Sequence, residues 1–211
     1  VVDIQQCHLQ PEPANEIRNA IKTFALEHGL DFFNPREQKG FLRSLMIRNS
    51  SNGDFMVLIQ FFKDNKAQRE ALLEYLKKYF DITSLLYCIN SKANDTLYDQ
   101  EIICYNGKTF ITEEMEGLNF KINAKSFFQT NTEQAYELYK IAREFAGLKG
   151  KELVYDLYTG TGTIAQFIAK DCNKVIGVES VPEAIEAART NTKENGIKNS
   201  EVFACNIDHV L

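Results

Sequence analysis

The spacing of hydrophobic and polar positions divides the chain into elements. Residues 15–28 place Ile17, Ala20, Ile21, Phe24 and Ala25 on one helical face, and Gly29 closes the run. Two β-rich runs, 41–47 and 55–62, flank Ser51-Asn52-Gly53, and Asn-Gly between such runs predicts a hairpin. Both runs carry apolar residues on both faces, so the sheet they enter is expected to be covered. Residues 65–80 predict a second helix with Leu72, Leu73, Leu76 and Phe80 inward. Residues 1–7, 83–90, 101–105 and 120–124 read as further strands, with Asn106-Gly107 a turn. Up to about Glu116 the pattern predicts a small α+β domain.

From Phe127 onward the period changes. Residues 131–146 predict a helix that begins at a capping-box-like Thr130-x-x-Glu133 and carries a stripe of Ala135, Leu138, Ala142 and Phe145. Gly147 and Gly150 end it. A strand at 153–157, a helix at 163–170, a strand at 174–178 ending in Glu179, a helix at 182–195 and a strand at 201–205 follow. Pro182 suits the first helical turn and Gly196 the stop. Strands alternating with helices imply parallel crossovers, so this part is α/β, the first half of a doubly wound, Rossmann-like sheet. Two domains are expected, 1–116 and 117–211.

The loop between the first two of these later elements carries the candidate chemistry. Asp156 ends the strand, and Thr159-Gly160-Thr161-Gly162 follows. Gly160 and Gly162 let a ligand approach the backbone at the carboxyl end of the strand, where open α/β sheets bind ligands. Gly160-x-Gly162-x-x-Ala165, with Glu179 further on, satisfies the dinucleotide fingerprint. The three residues between Asp156 and Gly160 depart from it, because in that fingerprint the glycines follow the strand almost at once. An acidic residue ahead of a Gly-x-Gly turn is similar to the first motif of S-adenosylmethionine-dependent methyltransferases. Glu179 can accept hydrogen bonds from both hydroxyls of a ribose, or serve as a solvated helix-entry acid. Asn206, at the end of the third strand, can read an adenine edge or simply end the strand. Tyr158 and Thr163 flank the glycines, and Tyr158 either packs on a cofactor or joins the core.

Composition narrows the picture. The 211 residues leave room for one large domain or two small ones, and a hydrophobic content of 44% supports a sizeable core. A formal charge of −5 argues against a protein that coats nucleic acid. Arg36, Lys39, Arg43 and Arg48 nevertheless gather near the start of the hairpin, as a phosphate-binding patch or a solvated sheet edge. The five cysteines are scattered with no Cys-x-x-Cys pair, so no metal site is expected. Without a signal peptide or a membrane-length apolar run, no membrane partner and a cytoplasmic location are expected. The chain starts at Val1 rather than Met and stops at Leu211 after a strand-like run, which predicts a piece of a longer protein. Strand 153–157 is then expected to present an unpaired edge prone to self-association.

Beyond these patterns, nearly the whole chain resembles the S-adenosylmethionine-dependent RNA uracil-5-methyltransferases. The resemblance rests on Val2-Asp3-Ile4-Gln5-Gln6-Cys7, Gly40-Phe41-Leu42-Arg43-Ser44-Leu45-Met46-Ile47-Arg48, Phe127-Phe128-Gln129-Thr130-Asn131, Asp156-Leu157-Tyr158-Thr159-Gly160-Thr161-Gly162-Thr163 and Val175-Ile176-Gly177-Val178-Glu179. The Phe-Gln-Thr-Asn run discriminates most, since dinucleotide-binding domains and general methyltransferases lack it. The resemblance implies S-adenosylmethionine as cofactor, held by Gln129, Asp156, Tyr158, Gly160, Gly162, Thr163, Glu179 and Asn206. Position 163 is often Asn in the family, and the third-strand motif often ends Gly-Asp-Ala-Glu where this chain has Cys205-Asn206-Ile207-Asp208. Members with an iron–sulfur cluster use a cysteine placed like Cys7.

The implied substrate is a uridine in rRNA or tRNA. In the family a cysteine thiolate adds to uracil carbon-6, carbon-5 takes the methyl group, and a carboxylate base removes the carbon-5 proton. The family nucleophile and base lie downstream of the third strand, so no catalytic residue is assigned here and the 211-residue piece is expected to be inactive. Two other classes compete: an NAD-dependent oxidoreductase, and a non-catalytic module that contributes only RNA or cofactor contacts.

Overall fold

The apolar faces close two separate cores. The computed structural model describes residues 2–205, and the chain divides between Ile111 and Thr112. Asn206 therefore lies outside the described residues.

In the first unit, helix α1 (Ala14–Glu27) is followed by β1 (Leu42–Asn49) and β2 (Phe55–Phe61), which pair antiparallel with Leu45 opposite Ile59. Helix α2 (Lys66–Tyr79) then crosses to β3 (Ser84–Ile89), which runs parallel to β2, and β4 (Ile103–Gly107) returns antiparallel. The sheet order is β1-β2-β3-β4. Ile17, Ile21, Phe24 and Ala25 of α1 join Leu72, Leu73 and Leu76 of α2 in one core with Val57, Ile59, Phe61 and Leu85. Strand β2 is buried along its whole length, as its two-sided apolar pattern predicts. Strand β1 lies at the sheet edge and is mostly half-buried, so the expected full cover does not reach it.

The expected first strand, 1–7, is absent over its described residues, which are irregular. Its backbone groups are met by side chains of α1 instead of a neighbouring strand. Asn15 accepts from Cys7 N–H at 2.7 Å and donates to the Cys7 carbonyl at 3.1 Å, while Arg18 and Asn19 donate to the Gln5 carbonyl. Gly107, expected in a turn, is the last residue of β4 and pairs with Ser84.

The second unit opens with a hairpin that sequence reading half missed. Strand β5 (Phe110–Met115) pairs with β6 (Leu118–Asn123). Two glutamates mask the β pattern of β5, yet Glu113 points inward and accepts from Thr132 Oγ1 at 2.9 Å. After α3 (Thr132–Ala146), the chain forms β7 (Leu153–Leu157), α4 (Thr163–Ala169), β8 (Lys174–Glu179), α5 (Pro182–Glu194) and β9 (Ser200–Ala204). The sheet is parallel in the order β7-β8-β9, with second and third strands to one side of the first as a doubly wound half requires. The fold class expected from the sequence is the observed one.

Side-chain amides tie the hairpin to the C-terminal end of α5. Asn195 accepts from Asn119 N–H at 2.8 Å and donates to the Asn119 carbonyl at 2.9 Å, as a partner strand would. One helical turn earlier, Asn191 accepts from Lys121 N–H at 2.9 Å. These bonds explain why the division falls at 111/112, before β5 is complete, rather than after Glu116.

Helix α3 departs from its expected stripe. Its N-cap is Asn131, which accepts from Gln134 N–H at 3.0 Å, and not Thr130. Its buried residues are Ala135 and Tyr139, whereas Leu138, Ala142 and Phe145 are exposed. The buried face packs on Phe167 of α4: the Tyr139 ring lies 5.9 Å from it, and the Arg143 guanidinium lies 4.2 Å over it. Leu153 and Tyr155 of β7 are also exposed, and β7 is the edge of the described sheet.

Glu116, in the β5–β6 turn, binds this arrangement together. It accepts two bonds from Arg143 at 2.8 and 2.9 Å, one from Lys170 at 2.6 Å and one from Tyr136 at 2.9 Å. The Arg143 hydrogen bonds hold its carboxyl well below the ordinary value of 4.5; desolvation, the next largest effect, opposes them, and the bonds from Lys170 and Tyr136 add to the lowering. A carboxylate depressed in the folded state stabilises it above the unfolded-state value and loses that contribution as pH falls through the folded value. Glu116→Gln is therefore expected to lower stability at neutral pH by about 2 kcal/mol, the size of one charged hydrogen bond. The gap from wild type should narrow as pH falls below 4.5. Urea unfolding at pH 7 and pH 3 checks this, and an equal gap at both would refute the assignment.

Candidate cofactor site

The site grows from the end of β7. Asp156 sits opposite Gly177 of β8, and its Oδ2 accepts from Thr159 Oγ1 at 2.7 Å and from Ala165 N–H at 3.0 Å. The second bond satisfies one of the free N–H groups in the first turn of α4. Burial pushes the Asp156 carboxyl up, and the two hydrogen bonds oppose that shift. Asp156 thus braces the loop and the helix start.

The loop then turns back over β8. Thr159 N–H donates to the Val178 carbonyl at 3.0 Å, and Gly162 N–H to the Thr159 carbonyl at 2.9 Å. Gly162 is the N-cap of α4 at φ 78°, a conformation that favours glycine. A side chain there would also lie 3.0 Å from Gln166 Nε2 and 3.1 Å from the Ala188 Cβ. Gly160 differs: a side chain on it would meet no atom within 4 Å, so its backbone faces open space. Beside it, Tyr158 holds φ 61°, rare for a tyrosine, with its ring 77% exposed. Among the described residues Tyr158 is therefore outside the core, at the loop rim.

Glu179 closes the arrangement from the end of β8. Its Oε2 accepts from Gly160 N–H at 3.0 Å, and its Oε1 accepts from Ser180 and Val181 N–H at 2.8 and 2.9 Å. Asp156, Gly160 and Glu179 are therefore joined through one hydrogen-bonded loop. Thr163 is buried and its hydroxyl bonds to Thr161 at 3.1 Å, so it supports the loop from behind. Gln129 is exposed in the segment between β6 and α3, next to buried Phe128. Among the described contacts none links Gln129 to the loop. No group of three or more potential metal ligands occurs among the described residues, and Cys7 is a free, half-buried thiol.

Sequence reading missed three supports: Thr159, Gly177 and Asn191. Gly177 interrupts an otherwise branched strand, a usual mark of close backbone approach, and that mark was available. Asn191 was not legible, because a polar residue on a predicted helix face reads as solvated. It is fully buried and donates to the Thr161 carbonyl at 3.4 Å as well as holding β6.

Comparison with known proteins bears on what such a loop serves. Residues 148–211 match the family described as Methyltransferase domain. The whole chain is 55% identical to a Porphyromonas gingivalis protein named an uncharacterized RNA methyltransferase, covering 46% of it. A Bacteroides thetaiotaomicron protein of the same name is 52% identical over the whole chain, which covers 47% of that protein. The chain thus spans about half the length of the curated relatives it matches. Among solved structures, the Pyrococcus abyssi tRNA (uracil-54, C5)-methyltransferase in complex with S-adenosyl-L-homocysteine is similar with a TM-score of 0.81 and 29% identity. That match covers 98% of this chain and 50% of the other.

The basic cluster does not form as expected. Arg43 is turned inward: its guanidinium donates to the carbonyls of Asn90, Lys92 and Asn94 at 2.8, 2.6 and 2.7 Å and stacks 4.6 Å over Phe33. It clamps the 90–94 loop. Burial lowers the Arg48 pKa, and that side chain is half-buried. Only Arg36 and Lys39 of the four are exposed.

Proposed function

We propose that this chain supplies the cofactor-binding part of an RNA methyltransferase that transfers a methyl group from S-adenosylmethionine to carbon-5 of a uridine in tRNA or rRNA. The observation that carries the reading is the likeness over nearly the full chain to the uracil-54 methyltransferase, together with a glycine loop latched by a carboxylate at the next strand end. The residues fit such a ligand. Open space lies over Gly160, the Glu179 carboxylate stands at its rim, and Tyr158 offers an exposed ring. When bound, the cofactor supplies an electrophilic methyl group.

In this reading Glu179 accepts from the ribose hydroxyls, the Gly160–Gly162 backbone lies along the methionine end, and Asp156 holds the loop in register. Gln129 and Asn206 belong to the same pocket by family resemblance. The test uses the full-length protein with labelled S-adenosylmethionine and unmodified tRNA and rRNA, followed by nucleoside mass spectrometry. Labelled 5-methyluridine is expected. Label in another nucleoside would overturn the uracil assignment, and binding of NAD in place of S-adenosylmethionine would favour an oxidoreductase.

Of the four cations gathered near the hairpin, Arg36 and Lys39 are the two exposed and so the candidates for RNA contact. Neutralising both should flatten the salt dependence of RNA binding by about 0.7 log units per log salt for each lost phosphate contact. Arg43→Ala should loosen the 90–94 loop without that change in slope. A salt slope left unchanged by the double neutralisation would return both residues to a solvated sheet edge.

A further inference from the structure

Gly177 poses a question that its backbone does not answer. It lies inside β8, between Asp156 of β7 and Val202 of β9, and its φ is not left-handed. In an ordinary strand conformation glycine only weakens the element. What is particular is its neighbour. A Cβ on Gly177 would lie 3.0 Å from Thr159 Cγ2, 3.1 Å from Thr159 Oγ1 and 3.2 Å from Thr159 Cβ. All three contacts are to one buried side chain, that of the loop residue just before Gly160. The same residue bonds backward to Asp156 and across to the Val178 carbonyl.

We infer that Gly177 and Thr159 form a positioning pair that seats the glycine loop on β8 and so sets the height of the Gly160 backbone under the cofactor. The missing side chain at 177 makes a notch, and Thr159 fills it. The seat brings Gly160 N–H to 3.0 Å from Glu179 Oε2. A methyl group in the notch lifts Thr159, lengthens the bond to Val178 and moves Gly160 away from Glu179. Neither residue touches the cofactor in this account, and both act through the loop. The part of this inference that concerns the cofactor rests on the function proposed above. The part that concerns loop seating does not.

The experiment therefore has two readouts on the full-length protein, comparing Gly177→Ala, Thr159→Ser and the double variant. Hydrogen exchange without ligand reads the seat. Gly177→Ala should speed exchange at the Thr159 and Gly160 amides at least tenfold while the Val175 and Val178 amides keep their protection. Calorimetry with S-adenosylhomocysteine reads the consequence, with at least a tenfold loss of affinity in Gly177→Ala. Thr159→Ser keeps the hydroxyl for Asp156 but removes Cγ2, so it should cost less than threefold alone and recover much of the loss in the double variant.

Unchanged exchange in Gly177→Ala, or a loss that Thr159→Ser does not relieve, overturns the pair. A seated loop in a wild type that binds no S-adenosylhomocysteine would overturn the cofactor assignment and leave the seating intact.

Discussion

Replacing Glu179 with alanine in the full-length protein is expected to lower S-adenosylhomocysteine affinity at least about tenfold. Two losses combine. A carboxylate that accepts from ribose hydroxyls contributes about 1.5–3 kcal/mol per charged hydrogen bond. The same carboxylate also latches the loop, because it accepts from Gly160, Ser180 and Val181 N–H. Alanine leaves these three donors without their acceptor and frees the loop to move. Glu179→Gln keeps an acceptor oxygen without the charge and should lose less. Calorimetry on protein shown folded by circular dichroism checks both, and an alanine variant that binds as wild type does would remove Glu179 from the site.

A large loss of stability is expected at Gly40, outside the site. Gly40 has φ 125°, and a Cβ there would lie 2.5 Å from the Phe32 carbonyl oxygen and 2.6 Å from Phe33 Cα. Both are backbone atoms and cannot swing aside. They belong to a segment held against the start of β1, where Phe41 and Leu42 N–H donate to the Asp31 carbonyl and Phe33 N–H to that of Leu42. Gly40→Ala must break some of these bonds or adopt a strained conformation, at a cost of about 3–5 kcal/mol. Phe41 is fully buried beside Phe61, so the disturbance reaches the first core. Urea unfolding of the full-length protein measures this, and a loss under about 1 kcal/mol would mean that the segment can yield.

Much of the site was legible because its chemistry is local. Asp156, the two glycines and Glu179 lie at strand ends, and a β-α-β pattern places such ends side by side. Hydrophobic periodicity also fixed the helices and the parallel order of the second sheet, since each element's apolar face has few ways to be buried. The strand 1–7 and the stripe of α3 failed for a common reason. Periodicity reports which residues can be buried and not what is there to bury them. Asn15, Arg18 and Asn19 take the backbone groups of the first segment, and Tyr139 and Arg143 pack on Phe167 while Leu138 and Phe145 meet no core among the described residues.

Charge was the least legible property. Arg36, Lys39, Arg43 and Arg48 look alike in sequence, but only tertiary contacts turn Arg43 onto four loop residues and bury part of Arg48. The sequence by itself determined the element order from α3 onward, the fold class and the position of the glycine loop, because these follow from local spacing and turn chemistry. Only the tertiary structure decided how that loop is seated. The seat depends on a missing side chain at Gly177, a buried Thr159 and the Asn191 amide donated from α5, groups 14 to 32 residues apart that meet only when the sheet has formed.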